Sequence, residues 1–219
     1  MMRTRATYIF CFFIFSYSQL IYADTFKEGG EAYVKGDYST AAKKFLEVAE
    51  KGDHRSMYAL GSMYAGGTGV EKDYKKAFSW FSRAAKYGRI DAQYKIGLLY
   101  ELGVGVPQNY KRAARYYNNV ATKGYAHAQF KLGMMFANGL GVNQSNVKAY
   151  AWLIVASQNL KNSASTEQKA IGEIEQPAGD VFASIHGDLI VEELAKIEKN
   201  ILPEQMAEAK KLAQEYIQY

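Results

Sequence analysis

Apolar positions in the central part of the chain recur at a fixed interval of 36 residues. A short motif, in which an aliphatic residue and a glycine precede an aromatic ring, occupies residues 60–64, 96–100 and 132–136. The same interval separates glycines, alanines and large aromatic residues, namely Gly67, Gly103 and Gly139, then Ala77, Ala113 and Ala149, then Trp80, Tyr116 and Trp152. Such strict spacing is typical of stacked repeats, each of which cannot bury its apolar face alone.

The pattern inside each repeat predicts two helices, and therefore an all-α fold. Residues 56–65 place Leu60 and Tyr64 on one helical face. The glycine-rich segment 66–69 can then take the positive φ angles at which many helices end. Asp73 is a good N-cap for a second helix, and Asn109 and Ser145 hold the same position in the next two repeats. The inward stripe of this second helix is expected to contain Ala77, Trp80, Phe81, Ala84 and Ala85.

Three glycines, Gly61, Gly97 and Gly133, lie in the middle of the predicted first helices. Glycine in a helix interior costs about 1 kcal/mol relative to alanine, so a compensating contact is expected. The sequence indicates close approach of the two helix backbones, with Ala77 and Ala113 as the small partners.

The repeat spacing divides the chain into six segments after a short N-terminal stretch. Residues 24–53 form a shortened N-terminal repeat that caps the stack. The first, second and third full repeats occupy 54–89, 90–125 and 126–162. The spacing fails after Leu160. Residues 163–187, which include Pro177, Gly179 and Gly187, are expected to form an irregular insertion. Residues 188–219 are expected to form a helical C-terminal cap, with helices over 188–200 and 204–217.

At this level the chain resembles the Sel-one-like repeat family, which is related to the tetratricopeptide repeats. Residues 57–88 follow the family pattern almost position by position, from Leu60-Gly61 through Asp73-Tyr74 to Gly88. The resemblance implies an α/α superhelical solenoid that serves as a scaffold or adaptor for protein partners, often in exported bacterial proteins. Some secreted relatives carry a disulfide in each repeat and bind or hydrolyse β-lactams, but this chain lacks those cysteines.

The first 23 residues differ from the rest and read as a secretory leader. Arg3 and Arg5 precede an apolar stretch, and Ala23 offers a cleavage point. A membrane anchor is the alternative, but Ser16, Ser18 and Gln19 interrupt the roughly 20 apolar residues that a spanning helix needs. We therefore expect a periplasmic or secreted protein without membrane insertion. The only cysteine, Cys11, lies in the leader, so no disulfide is expected.

Charge gives little support to nucleic-acid binding. The chain has 27 Lys and Arg against 22 Asp and Glu, and removal of Arg3 and Arg5 with the leader leaves 25 against 22, or +3. This excess is too small to indicate a polyanionic partner.

No catalytic residue, cofactor or metal site is predicted. His54, His127 and His186 are far apart in the sequence, without the neighbouring ligands that a zinc site requires. Residues 145–148 match the S-x-x-K pattern of serine β-lactam enzymes, but Ser145 holds the N-cap position of the repeat. We expect a non-enzyme, and the alternative is a hydrolase directed at the cell wall or at β-lactams.

A partner is expected on the first helices, which line the inner groove in the resembled family. Rotation by about 100° per residue places one set of side chains opposite the helix core. The predicted groove residues are Tyr58, Ser62, Tyr94, Leu98, Glu101, Phe130 and Met134. A protein or peptide could bind there. The alternative for the aromatic row, at positions 58, 94 and 130, is packing against the next repeat.

Overall fold

The computed structural model describes the backbone of residues 24–167 and 179–217, and the side chains of 24–160 and 187–217. Within these residues every regular element is a helix, which confirms the all-α prediction. The helices are α1 (24–34), α2 (Tyr38–Glu50), α3 (His54–Gly66), α4 (Tyr74–Lys86), α5 (Ile90–Leu102), α6 (Tyr110–Ala121), α7 (Ala126–Asn138), α8 (Asn146–Glu167), α9 (Gly179–Glu198) and α10 (Pro203–Ile217). The predicted leader, residues 1–23, lies outside the described residues.

The helices belong to two compact units. The N-terminal unit ends at Arg89 and the C-terminal unit begins at Ile90. In the N-terminal unit α3 packs on α2 and α4, and in the C-terminal unit α5 to α8 pack in sequence, with α9 and α10 on α8. Among the helices that the structure describes, none combines the length and the apolar character that a membrane crossing requires.

The predicted capping residues begin the second helices. Asp73 Oδ1 accepts hydrogen bonds from the backbone N–H groups of Lys75 and Lys76, at 2.9 and 3.0 Å. Asn109 and Ser145 accept from the backbone N–H three residues on, at 2.9 and 3.3 Å. These contacts satisfy N–H groups that have no partner inside the helix. A residue with a side-chain hydrogen-bond acceptor therefore recurs at this position because each second helix needs an N-cap.

The glycine-rich loops end the first helices as predicted. Gly67 and Gly139 follow α3 and α7 with φ angles of 75° and 66°, in the left-handed region. The second loop glycine has an additional role, because a Cβ at Gly141 would overlap the backbone carbonyl of Tyr110 at the start of α6. The loop therefore needs glycine both for its backbone angles and for its approach to a neighbouring helix.

The glycines inside the first helices make room for large side chains, and this corrects the expected pairing with Ala77 and Ala113. A Cβ on Gly97 would lie 2.6 Å from the ring of Tyr117. The equivalent distances are 2.6 Å from Gly61 to Phe81 and 2.9 Å from Gly133 to Leu153. The close partner is thus one helical turn beyond the alanine, and the missing side chain allows the ring to lie against the helix.

The C-terminal part is more helical than the sequence suggested. Helix α8 continues past Leu160 to Glu167, and α9 begins at Gly179, nine residues before the expected Asp188. The remaining part of the predicted insertion, residues 168–178, lies outside the described residues. The last helix, α10, begins at Pro203 and agrees with the prediction.

Helices α9 and α10 pack on the third repeat. Ile190 and Ile197 of α9 join Phe130, Tyr150 and Leu153 in one buried cluster, which also contains Ala209 of α10. The Tyr150 hydroxyl donates a hydrogen bond to Glu198 at 2.8 Å. Helix α10 also covers the ring of Trp152, whose centroid lies 4.0 Å from that of Tyr216.

The register-equivalent Trp80 was expected to face inward and does not belong to the core. Its side chain is partly exposed, and the Arg83 guanidinium lies 4.2 Å from the ring centroid. Trp152 is only 2% exposed, so the same register position is buried in the third repeat alone.

Candidate functional site

The seven predicted groove residues have two kinds of environment. Tyr94 and Phe130 are buried, each with 5% of its surface exposed. The other five are partly buried, namely Tyr58, Ser62, Leu98, Glu101 and Met134. We describe the two units separately, beginning with the C-terminal unit, which holds five of the seven residues.

Tyr94 packs on aromatic residues at the start of α7. Its ring centroid lies 5.2 Å from that of Tyr125 and 6.0 Å from that of His127. A further contact, at 5.7 Å, joins it to Tyr117 of α6. Edge and tilted contacts of this kind are favourable between aromatic rings. The ring therefore belongs to the packing between successive repeats, which was the alternative to partner binding.

Phe130 has the same role one repeat later. It lies in the buried cluster that contains Ile190 and Ile197 of α9, and Met134 packs against the edge of this cluster. Phe130 is consequently removed from the surface that a partner could reach, and Met134 keeps part of its surface in water. Phe130 is thus covered by α9, a helix that the repeat pattern does not include, whereas Tyr94 is covered by residues at the start of α7.

Glu101 has two partners inside the protein. The hydroxyl of Tyr117 donates a hydrogen bond to Glu101 Oε2, and Lys131 Nζ lies 2.9 Å from Oε1. Burial, followed by the nearby Glu101 charge, raises the pKa of the Tyr117 phenol well above its usual value. Since the phenol keeps its proton, the hydrogen bond has its donor at all ordinary pH values. Glu101 therefore joins α5, α6 and α7 and has a structural role.

In the N-terminal unit, Tyr58 and Ser62 lie on α3. The Tyr58 ring centroid is 5.6 Å from that of Phe81, and the Arg89 guanidinium lies 5.0 Å from the Tyr58 ring centroid. Tyr58 thus contacts two residues of its own unit, which indicates mainly a packing role. Ser62 is partly buried.

The accessible stripe of each first helix lies one residue away from the predicted aromatic row. On α5 it follows the spacing i, i+4, i+7 and i+11, at Asp91, Lys95, Leu98 and Leu102. The register equivalents on α7 are His127, Lys131, Met134 and Asn138, and on α3 they are Arg55, Ala59, Ser62 and Gly66. All are partly or fully exposed, as a single face of a helix directed at solvent would be.

We call the part of this stripe formed by Lys95, Leu98, Leu102, Lys131 and Met134 the α5–α7 surface. The two helices are joined there by the ion pair between Glu101 and Lys131. Leu102 is 64% exposed, and Leu98 and Met134 are partly exposed. The surface therefore combines apolar side chains in contact with water and two lysine amines.

The two lysines differ in their surroundings. Lys131 is neutralised by Glu101, whereas Lys95 forms no hydrogen bond or ion pair with any residue that the structure describes. Burial lowers the pKa of the Lys95 amine, and the charge of Asp91 acts in the opposite direction. A partly buried ammonium without a carboxylate partner is costly.

A family model for the Sel1 repeat matches residues 54–88, 90–125 and 126–159. The chain therefore contains three consecutive Sel1 repeats. Each match covers one pair of helices, α3–α4, α5–α6 or α7–α8, so the accessible stripe occupies one register position in every Sel1 repeat. No curated protein sequence matches the chain significantly.

Solved structures agree with this fold. A Sel1 repeat protein from Oxalobacter formigenes is similar over 87% of this chain and 85% of its own length, with 23% identity and a TM-score of 0.58. A protective antigen present in uropathogenic Escherichia coli strains, which displays an SLR fold, has the same identity and TM-score. That match covers 85% of this chain but only 44% of the antigen, so this chain spans less than half of its length.

Three features of the described residues bear on the metal-site and hydrolase alternatives. Among these residues, no three His, Cys, Asp or Glu side chains gather into a possible metal site. Ser145 Oγ caps α8 through the Lys148 backbone N–H, so the S-x-x-K match is explained by helix capping. An open cleft in the N-terminal unit, of about 320 Å³, is lined by basic side chains, namely Lys51, Arg83 and Lys86, together with Glu50, Gly52, Met57 and Tyr87.

Proposed function

We propose that this Sel1-repeat chain is a non-catalytic interaction module that binds a protein or peptide partner on the α5–α7 surface. Sel1 repeats generally mediate protein–protein interactions. The observation that carries the proposal is the exposure of apolar side chains on two adjacent first helices, where Leu102 is 64% exposed and Leu98 and Met134 are partly exposed. Apolar anchors within a polar rim supply most of the affinity at protein interfaces.

The comparison with the C-terminal helices supports this location. Met134 of the third repeat packs against the buried cluster that contains Ile190 and Ile197 of α9, whereas Leu102 at the end of α5 is 64% exposed. An extended peptide or an amphipathic helix would bury Leu102 in a similar way.

The test is selection of binders from a display library of random peptides. We expect the purified protein to enrich a family of related peptides and the Leu102→Glu variant to lose them, because the new carboxylate would have to be buried against apolar side chains. Val191→Glu is the matched control, since Val191 is 67% exposed on α9 and lies outside the surface. Equal loss in both variants, or no enrichment by the unmodified protein, would overturn the proposal.

We further propose that the protein is exported and acts in the periplasm or outside the cell. The support is the sequence of residues 1–23, with Arg3 and Arg5 ahead of an apolar stretch and Ala23 as the cleavage point. N-terminal sequencing of the protein recovered from the periplasm of a bacterial host should begin at Asp24. Recovery of the uncleaved chain in the cytoplasm would contradict export.

A hydrolase directed at β-lactams is the competing function, and it makes a separate prediction. Since Ser145 is a helix cap, the protein should not turn over nitrocefin. Turnover that is abolished by Ser145→Ala, in a variant that keeps its helical circular dichroism, would favour the enzyme instead.

A further inference from the structure

The amine of Lys95 indicates which chemical class of partner the α5–α7 surface accepts. Lysine occupies this register position in the second and third repeats, at Lys95 and Lys131, while the first repeat has Ala59. Lys131 is paired with Glu101 at 2.9 Å. Of the two lysines of this surface, Lys95 is the one that forms no ion pair with a carboxylate among the residues that the structure describes.

Packing alone does not explain a lysine at this position. Ala59 occupies the same place on α3, so the helix pair does not require a long side chain. Partial burial of Lys95 removes water from an ammonium group with three hydrogen-bond donors, and this burial lowers its pKa. Asp91 lies one turn earlier on the same helix and offsets the effect through its charge without forming an ion pair with Lys95.

The neighbours of Lys95 favour a single carboxylate over a polyanion. Glu101 and Asp91 lie on or beside the same face and would repel a run of phosphates. Next to Lys95 on the stripe are the apolar side chains of Leu98 and Leu102, which would reduce the access of water to an ion pair formed there. Such shielding strengthens a charge-assisted hydrogen bond.

We propose that Lys95 binds an Asp or Glu side chain of a peptide whose neighbouring apolar residues contact Leu98 and Leu102. This inference rests on the proposed interaction function and adds the class of ligand, an acidic peptide with adjacent apolar residues.

The experiment repeats the peptide selection with variants of Lys95. We expect peptides enriched by the unmodified protein to contain an acidic residue at a fixed distance from apolar ones. The Lys95→Gln variant should bind the best of these peptides about 10- to 100-fold more weakly, and replacing the acidic residue of the peptide should have little further effect in that variant. Lys111→Gln is the control, because Lys111 is exposed on α6 of the same unit.

A charge reversal keeps the inference testable if Lys95→Gln alters binding for another reason. The Lys95→Glu variant should enrich basic peptides in place of acidic ones, with the apolar residues retained. Melting temperatures identify variants with a damaged fold, and Lys95→Gln should melt no lower than the unmodified protein because it relieves a desolvated charge.

Two results separate the inference from the function on which it rests. Enriched peptides that lack acidic residues, or that bind Lys95→Gln as well as the unmodified protein, would overturn the role of Lys95 and leave the interaction module intact. No enriched peptide family at all would overturn both.

Discussion

The second and third Sel1 repeats share one frame and differ in how it is completed. Both place a glycine of the first helix against a large side chain of the second, Gly97 against Tyr117 and Gly133 against Leu153. Tyr117 adds a hydroxyl, which binds Glu101 and through it Lys131. Leu153 instead joins an apolar cluster that α9 and α10 cover.

The difference shows which positions of the repeat are free to vary. The glycine must leave space for a ring or an aliphatic chain, but the polarity of that side chain can change if its neighbours change with it. Glu101 has Ala65 and Ala137 as its register equivalents, so the acceptor occurs only where the hydroxyl does. A buried hydroxyl without an acceptor would be costly.

The largest expected effect comes from removing the ring that the C-terminal helices cover. Trp152→Ala should lower the free energy of unfolding by about 3–5 kcal/mol, because Trp152 is buried and stacked on Tyr216. Tyr116→Ala, at the same register position of the second repeat, should cost roughly 1–2 kcal/mol, since Tyr116 is partly exposed. Urea denaturation measures both, and equal losses would contradict the comparison.

The second-largest effect on stability is expected at the first-helix glycine that the two repeats share, which is Gly97 in the second repeat. Gly97→Ala should destabilise the C-terminal unit by about 1–3 kcal/mol, because the new Cβ would lie 2.6 Å from the Tyr117 ring. Gly187→Ala in α9 is the control, since a Cβ there meets no atom within 4 Å. It should raise stability by roughly 0.5–1 kcal/mol through its helix propensity. Thermal melting of both variants tests the pair, and a stabilised Gly97→Ala would show that the ring can move aside.

A smaller effect is expected from the polar network. Tyr117→Phe gives this position the same ring as Phe81 of the first repeat, but it leaves Glu101 without one hydrogen-bond donor. We expect the free energy of unfolding to fall by about 1–2 kcal/mol. Adding Glu101→Ala reproduces the Phe81 and Ala65 pair of the first repeat. The double variant should be less destabilised than the sum of the two single ones. Strict additivity in a double-mutant cycle would show that the hydroxyl and the carboxylate do not interact.

The smallest expected effect is a dependence on alkaline pH. The folded protein holds the Tyr117 proton more tightly than the unfolded chain, whose tyrosines have a pKa of about 10, so stability should fall as the pH rises above 10. Tyr150, beside Glu198, is a second contributor, because burial and this carboxylate raise its pKa to about 12. Its share should be lost between pH 10 and 12. Tyr117→Phe should flatten the slope further above pH 12 than Tyr150→Phe.

Local features of this fold could be predicted from sequence because they depend on a few neighbouring residues. The capping role of Asp73 and the positive φ of Gly67 need only the preceding and following turns. The partner of Gly97 could not be predicted in the same way, since the repeat interval gives Ala113 and Tyr117 the same regularity. The choice between them depends on how deeply the second helix packs.

The candidate surface shows a similar limit. Residues 94 and 95 differ by one helical step, and both are consistent with a face opposite Leu60 and its equivalents. Tyr94 is buried because Tyr125 and His127 lie against it at the start of α7, and Phe130 because α9 packs on the third repeat. Helix α9 was itself predicted too short, since Gly179 and Gly187 favoured an irregular segment over the helix that tertiary packing supports.

The most direct test of the proposed surface is a methyl NMR titration of the protein with the strongest peptide from the selection. We predict that the largest shifts occur at the methyl groups of Leu98, Leu102 and Met134. Leu189 and Val191, exposed on α9, should not shift. Shifts confined to α9, with Leu98 and Leu102 unaffected, would contradict a partner surface on α5 and α7.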